Sequence, residues 1–330
     1  MFIITNYSLA VAFCFLAMLC WGSWANTQKL TTQSVPTTIF YRDYTYGILI
    51  LSLLLAFTLG SIGESGRSFL TDIRQGSTQN LFYALVGGFL FNIANILIVA
   101  GIELAGLSVA APVGIGLALI LGVLVNYLLS PAGNIGLLVG GVLVIFLAIV
   151  FSAMAYRAKR LTDQSVSTLG VLASLAGGFL LSFFFYFVAK SMTMDFENPD
   201  PGSLTPYTAL VIFALGIVVS TPLFLPILRR FAGKPADGDI FYADVSRRNH
   251  RIGILGGMVW CLGMASSILA SGTAGYAISY GLGQGATLIA VLWGVFTWHE
   301  FRGAPAQSGR YLVLMGMCYV LGLVLIVAAR

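Results

Sequence analysis

Ten apolar stretches of about twenty residues each, separated by short polar links, constrain this 330-residue chain more than any other feature. The hydrocarbon core of a bilayer is about 30 Å thick, and a helix needs roughly 20 predominantly apolar residues to cross it. The stretches run 7–26, 41–61, 81–102, 107–129, 135–156, 167–190, 207–228, 252–271, 276–298 and 311–329. They are continuously apolar and about twice the length of a barrel strand, with no two-residue alternation, so they predict helices rather than a β-barrel. The predicted fold class is all-α integral membrane. Composition agrees: 9% of the residues are charged and 58% hydrophobic, which leaves too little charge to cover a soluble domain. The first stretch has no basic segment before it and no small-residue cleavage site, and reads as a retained helix rather than a removed signal.

The placement of charge orients the chain. Lys29, Arg42, Arg157, Lys159, Arg160, Arg229, Arg230, Lys234, Arg247, Arg248, Arg251, Arg302 and Arg310 follow the odd-numbered spans, whereas Arg67, Arg74, Lys190 and Arg330 lie on the other side. Cytoplasmic loops carry the excess of Lys and Arg, so both termini are expected outside a plasma (inner) membrane, with the 229–251 loop in the cytoplasm. The net charge of +5 sits in short clusters that face lipid headgroups, not in a nucleic-acid-binding stripe. Cys14, Cys20, Cys261 and Cys318 all lie inside apolar runs and read as packing residues, not as a disulfide framework or metal site.

Sliding the sequence along itself gives one long gapless register, which lays 87–131 over 256–300. Gly87-Gly88 then matches Gly256-Gly257, Ala105-Gly106 matches Ala274-Gly275, Gly116 matches Gly285 and Ile120 matches Ile289. The span boundaries coincide as well. The expected organisation is a first five-helix repeat at 1–156, a short cytoplasmic linker at 157–166 and a second five-helix repeat at 167–330. Because five is odd, the second half enters the membrane inverted. A chance alignment of two glycine-rich hairpins is the alternative.

The hairpin Gly-Gly…Ala-Gly-Leu-Ser-Val-Ala-Ala-Pro (87–112) and the span ending Trp-Gly-Val-Phe-Thr-Trp-His-Glu-Phe (293–301) resemble the drug/metabolite transporter superfamily. Cys-Trp-Gly-Ser-Trp-Ala-Asn-Thr-Gln-Lys-Leu (20–30) and Tyr-Arg-Asp-Tyr…Leu-Ala-Phe-Thr-Leu-Gly (41–60) are most similar to its ureide permease and glucose/rhamnose porter branch. The resemblance implies uptake of a monosaccharide, a ureide or a nucleobase-like compound, with a proton as coupling ion. Plant ureide permeases carry a long central loop with a nucleotide-binding-like motif; here 157–166 is short and basic, and no phosphate-cradling G-x-x-x-x-G-K-[ST] pattern occurs. No cofactor is expected.

Polar groups at membrane depth must face a partner or a water-filled cavity. Asn92 and Asn95, three apart in span 3, share a helix face and suit hydroxyl, carbonyl or urea groups, or else glue helices together. Gln284, in Tyr280-Gly-Leu-Gly-Gln-Gly285, marks a point where span 9 can loosen, although Gly281 and Gly285 also form a helix-packing pair. Tyr276 and Tyr280 could line the same cavity. Trp21, Trp24, Asn26 and Gln28 close the first span as an aromatic face or an interfacial belt, and Trp260 is a second stacking candidate. Asn126, near the end of span 4, reads as a cap or a packing residue. Asp43, Glu103, Lys29 and Glu300, at span ends, are candidates for proton coupling, with snorkelling or headgroup pairing as the alternative for each; Asp43 could pair with Lys29, and His299 could relay protons to Glu300.

These features favour a secondary transporter that imports a small neutral polar solute by alternating access, through a cavity walled by spans 1, 3, 8 and 9. An exporter or facilitator of the same fold is the alternative, and a structural membrane subunit a lesser one. An enzyme would need a catalytic cluster, and a channel a ring of charge or a carbonyl filter.

Overall fold

The structure, a computed structural model, describes residues 1–31, 35–159, 167–231 and 240–330. Among the described residues, ten helices are long and apolar enough to cross a membrane. They are α1 Tyr7–Leu30, α2 Thr37–Phe57, α3 Thr78–Ala105, α4 Ala111–Leu129, α5 Ile135–Lys159, α6 Thr168–Ser191, α7 Pro206–Arg230, α8 Arg247–Ala274, α9 Tyr276–Thr297 and α10 Ala306–Val327. No strands occur among those residues. Arg160, Lys234 and most of the expected 157–166 linker lie outside the described residues.

Local chemistry sets the helix ends. Ser77 caps α3 by accepting from the Asn80 amide, and Ser246 caps α8 by accepting from the Asn249 amide. α3 ends at Gly106 (φ 80°) and α8 at Gly275 (φ 88°), left-handed positions that only glycine adopts without strain; helix resumes one residue later in both, as the short turn Leu107–Ala110 that leads into α4 and as α9 itself. α4 carries a π-turn over Ala111–Ile115 that accommodates Pro112.

Close packing then follows from small residues, because in lipid no hydrophobic force draws helices together. α3 lies against α6 and α7, α2 against α8 and α7, and α1 against α8. A Cβ at Gly257 of α8 would lie 1.9 Å from the Tyr44 carbonyl oxygen of α2, and one at Gly88 of α3 would lie 2.0 Å from the Phe213 carbonyl oxygen of α7. Gly47 faces Ile254 O and Gly216 faces Leu85 O in the same way. The register that lays 87–131 over 256–300 carries each member of one contact onto its counterpart in the other: Gly88 onto Gly257, Tyr44 onto Phe213, Gly47 onto Gly216 and Leu85 onto Ile254.

The two ends of the bundle differ. At the face holding both termini, the connections interlock: Arg67 donates to the Asp200 and Ser203 carbonyls, buried Asp72 accepts from Thr205 N and Oγ1, and Tyr207 donates to Phe2 O. Phe196 packs on Gly272 there. The opposite face, where the basic links emerge, holds the open end of the main cavity.

Candidate functional site

A cavity of about 450 Å³ lies between the helices, within the range of about 300–1,000 Å³ usual for small-molecule sites. Its lining comes from the last turns of α1 and α5, the second half of α3, the first turns of α4, the middle of α6 and α8, and the second half of α9. The α1, α3, α4, α5 and α9 portions lie toward the basic links and the α6 and α8 portions at the middle of the bundle, so the cavity reaches from that face to about the middle of the bundle. Seven helices wall it: the expected α1, α3, α8 and α9, joined by α4, α5 and α6.

Aromatic rings close its inner end. Trp260 is stacked at 6.0 Å on Trp21 and at 5.9 Å on Phe213, and packs 4.4 Å from Phe91. Phe184 touches Phe91 at 5.3 Å, and behind it Tyr280 packs on Phe184 and Phe185. This layer separates the cavity from the terminal face. Phe91 and Trp260 are themselves counterparts in the repeat register.

Against these apolar walls stand a few amides and hydroxyls. Gln284 sits where α9 breaks: its backbone N–H bonds Tyr280 O and Gly281 O, Gly285 N bonds Leu282 O, and Leu288 N bonds Gly285 O, a switch to three-residue spacing. Gly283 at the break admits Trp21, whose ring would lie 2.4 Å from a Cβ there. The Gln284 side chain has no hydrogen-bond partner among the described residues and lines the cavity. Asn95 donates to Tyr41 Oη at 3.3 Å, which leaves its carbonyl oxygen for a ligand. Gln28 donates to Thr37 Oγ1 at 3.3 Å, and Ser152, Tyr156 and Thr287 add hydroxyls. The lining contains no charged side chain among the described residues.

The sequence-predicted residues therefore divide. Trp21, Trp24, Gln28, Asn95, Gln284 and Trp260 converge on the cavity. Asn92 does not: it is wholly buried, accepts from Tyr41 Oη at 2.8 Å and donates to Ser220 Oγ at 2.8 Å, Thr221 Oγ1 at 3.2 Å and Ile217 O at 3.1 Å, tying α3 to α2 and α7. A three-residue step turns a helix by about 300°, so both amides reach Tyr41 Oη but only Asn92 also reaches Ser220 and Thr221 of α7. Tyr280 lies behind the aromatic floor and donates to Ala118 O, while Tyr276 donates to Thr193 O near the terminal face. Asn26 holds α1 to the end of α9 by accepting from Trp298 Nε1 at 2.6 Å, and Asn126 donates back to Gly122 O within α4.

The ionisable residues regroup. The Asp43–Lys29 pair does not form. Lys29 Nζ instead lies 2.7 Å from Glu300 Oε1, and Glu300 Oε2 accepts from Tyr156, so an ion pair borders the cavity mouth. Burial alone would raise the Glu300 carboxyl, but the Lys29 ammonium, Tyr156 and Lys159 outweigh it and hold it below the ordinary value. Asp43 is buried inside α2 against His250 and Tyr242, and Glu103 and His299 are exposed. Sequence reading missed Tyr41, Phe91, Ser152, Tyr156, Phe184, Thr287, Tyr242 and His250. Most of these lie in runs where lipid-facing and cavity-facing residues look alike; the His250–Asp43 contact joins residues far apart in the chain.

Fold and cavity define a ten-span membrane protein with a neutral, aromatic-walled, amide-tipped site. Residues 40–169 match the family model described as ureide permease, and over them the chain is ureide permease-like. It is 27% identical over 168 residues to ureide permease 1 of Arabidopsis thaliana, covering 50% of this chain and 43% of that protein. It is 26% identical to ureide permease 3 of the same plant (50% and 48%) and 28% identical to the probable ureide permease A3 of Vigna unguiculata (38% and 34%). The chain thus spans about half the length, or less, of the curated relatives it matches. These relatives are named as permeases, which are transporters and not enzymes. One solved crystal structure, 15% identical, superposes with a TM-score of 0.64 over 97% of this chain and 98% of its own, which shows that the fold has a solved counterpart.

Proposed function

We propose that this protein is a secondary transporter that imports a small, neutral, planar polar solute of the ureide type, with nucleobases and monosaccharides as the neighbouring chemistries. The observation that carries the reading is the cavity: aromatic walls from Trp21, Trp24, Phe91, Phe184 and Trp260, amides from Gln28, Asn95 and Gln284, and no charge on the described lining. Stacking on rings and paired donor and acceptor amides suit a flat urea-containing ring. A strongly ionic solute would be desolvated there without a countercharge. The names of the relatives support the same chemistry.

The proposed mechanism is alternating access between two inverted repeats, 1–156 and 167–330. Support comes from the reciprocal glycine contacts that the repeat register relates and from the matching left-handed glycines Gly106 and Gly275. In this reading the basic links face the cytoplasm of a plasma-membrane protein with both termini outside, and the cavity described above is open inward. The solute reaches it when the aromatic floor parts and the mouth at Lys29 and Glu300 closes. A proton is the coupling ion.

Reconstituted protein tests the reading by uptake of labelled hydantoin, a simple cyclic ureide, with uracil and glucose as competitors. The expected result is saturable uptake that hydantoin competes best and that disappears when the proton gradient is collapsed. No uptake of any of the three would overturn the transport reading, and uptake indifferent to the gradient would identify a facilitator.

A further inference from the structure

Away from the cavity, α2 and α8 share a buried carboxylate–imidazole contact. Asp43, nearly two turns into α2, is 1% exposed. Its Oδ2 lies 2.6 Å from His250 Nδ1 in the first turn of α8, and its Oδ1 accepts from the Tyr242 hydroxyl. His250 Nε2 lies 3.1 Å from the Tyr242 carbonyl oxygen. Burial first, and the bond to Asp43 second, push the Tyr242 hydroxyl up to about 12, so it stays a donor at neutral pH.

Hydrogen counting follows from these contacts. A carbonyl oxygen only accepts, so Nε2 carries a hydrogen. Nδ1 and Oδ2 at 2.6 Å also hold one between them, because two bare lone pairs repel at that distance. A neutral imidazole has a single ring hydrogen, and this arrangement uses two. Both contacts formed together call for one proton more than neutral histidine plus carboxylate supply. The other carboxylate oxygen, Oδ1, is occupied as an acceptor by the Tyr242 hydroxyl.

Among the described residues, the charge nearest the pair in the chain, Arg42, is engaged elsewhere. Arg42, next in the chain, donates to Tyr46 and lies 4.3 Å from the Tyr242 ring centre. α7 faces Arg42 and Tyr46 with Val218, Thr221, Pro222 and Leu225, and α8 faces Asp43 with Gly253. Packing does not require the pair either. At the corresponding α3–α7 contact in the repeat register, Leu81 stands for His250 and Ile212 for Asp43, and the same glycine-mediated approach forms without charge.

We propose that Asp43 and His250 form a proton-binding site, loaded in the conformation whose cavity opens toward the basic links, and that this proton is the coupling ion of the transporter. The coupling clause rests on the transport reading; the binding site does not. Losing the proton leaves one ring hydrogen for two acceptors, Asp43 Oδ2 and Tyr242 O. One contact must break, releasing the His250 ring from Asp43 or from the Tyr242 carbonyl while the Gly47 and Gly257 contacts still hold α2 to α8. Proton loss thereby changes a contact between elements of the two halves.

The chain has two histidines, so protein labelled with ¹⁵N-histidine gives two resolvable rings, and exposed His299 is the internal control. In lipid nanodiscs at pH 7 without solute, both His250 nitrogens are expected to be protonated in the wild type, and Nδ1 to become bare in Asp43→Asn. A bare His250 nitrogen in the wild type, or identical spectra in the two proteins, overturns the site. The double variant Asp43→Ile/His250→Leu, which copies the corresponding contact, guards against misfolding. It is expected to keep the wild-type melting temperature and to lose gradient-driven accumulation of labelled hydantoin. If it accumulates hydantoin as the wild type does, coupling at this site is wrong. If the wild type accumulates none, the transport reading fails while the spectra still decide the site.

Discussion

Asn92 and Asn95 show how much the surroundings of a residue decide. Both are amides in the same turn of α3, but Asn92 has all its bonds to Tyr41, Ser220, Thr221 and Ile217, whereas Asn95 keeps an acceptor for the cavity. Asn92→Ala would leave the buried Tyr41 hydroxyl without its acceptor, at a cost of about 1–3 kcal/mol, and would cut the tie from α3 to Ser220 and Thr221, so it is expected to lower the melting temperature measurably. Asn95→Ala and Gln284→Ala are expected to leave it unchanged and to weaken hydantoin uptake about 3- to 10-fold each, the effect of one lost hydrogen bond of about 0.5–1.5 kcal/mol. Equal stability losses in all three variants would contradict this division. Glu300 gives a pH prediction. Its carboxyl is held below the ordinary value of about 4.3, so the stabilisation from the Lys29 pair is complete above that value and is lost only as pH falls through the depressed one. Glu300→Gln is therefore expected to leave the shape of an uptake–pH profile between pH 5 and 8 unchanged; a profile flattened by that change would make Glu300 a proton carrier.

At the scale of elements, close glycine contacts fix which helices touch. Gly257→Leu would drive a side chain into the Tyr44 carbonyl and is expected to abolish a folded, monodisperse protein. Gly309→Ala, at an open position in the first turn of α10, is expected to fold normally, since helix propensity there favours alanine by about 1 kcal/mol. Size-exclusion profiles of the two variants check the pair. The ten spans, their class and the loosened ninth span were legible in the sequence because long apolar runs and Gly-Leu-Gly-Gln-Gly report local physics. Partner choice was not. Asp43 met His250 rather than Lys29, and Tyr280 turned away from the cavity, because both outcomes depend on how helices rotate against one another, which no local pattern encodes. The aromatic floor was half legible: Trp21 and Trp260 stood out as tryptophans, while Phe91 and Phe184 were lost among many lipid-facing phenylalanines.

For the whole molecule, the asymmetry between an interlocked terminal face and an open basic-link face is what the proposed alternating-access reading requires of one state of a carrier. A thiol introduced at Gln28 is expected to react with a membrane-impermeant reagent only from the cytoplasmic side, and one at Arg330 only from outside; the reverse pattern would invert the proposed orientation. The proposed repeat also fits this scale, since its register pairs Phe91 with Trp260, which touch in the floor that the proposed mechanism opens. The most direct test of the central claim is counterflow of labelled hydantoin in proteoliposomes, compared between the wild type and the Asn95→Ala/Gln284→Ala double variant. The account predicts exchange in the wild type and roughly 10- to 100-fold slower exchange in the variant, the combined loss of two hydrogen bonds. Equal exchange in both, in protein of equal stability, would contradict it.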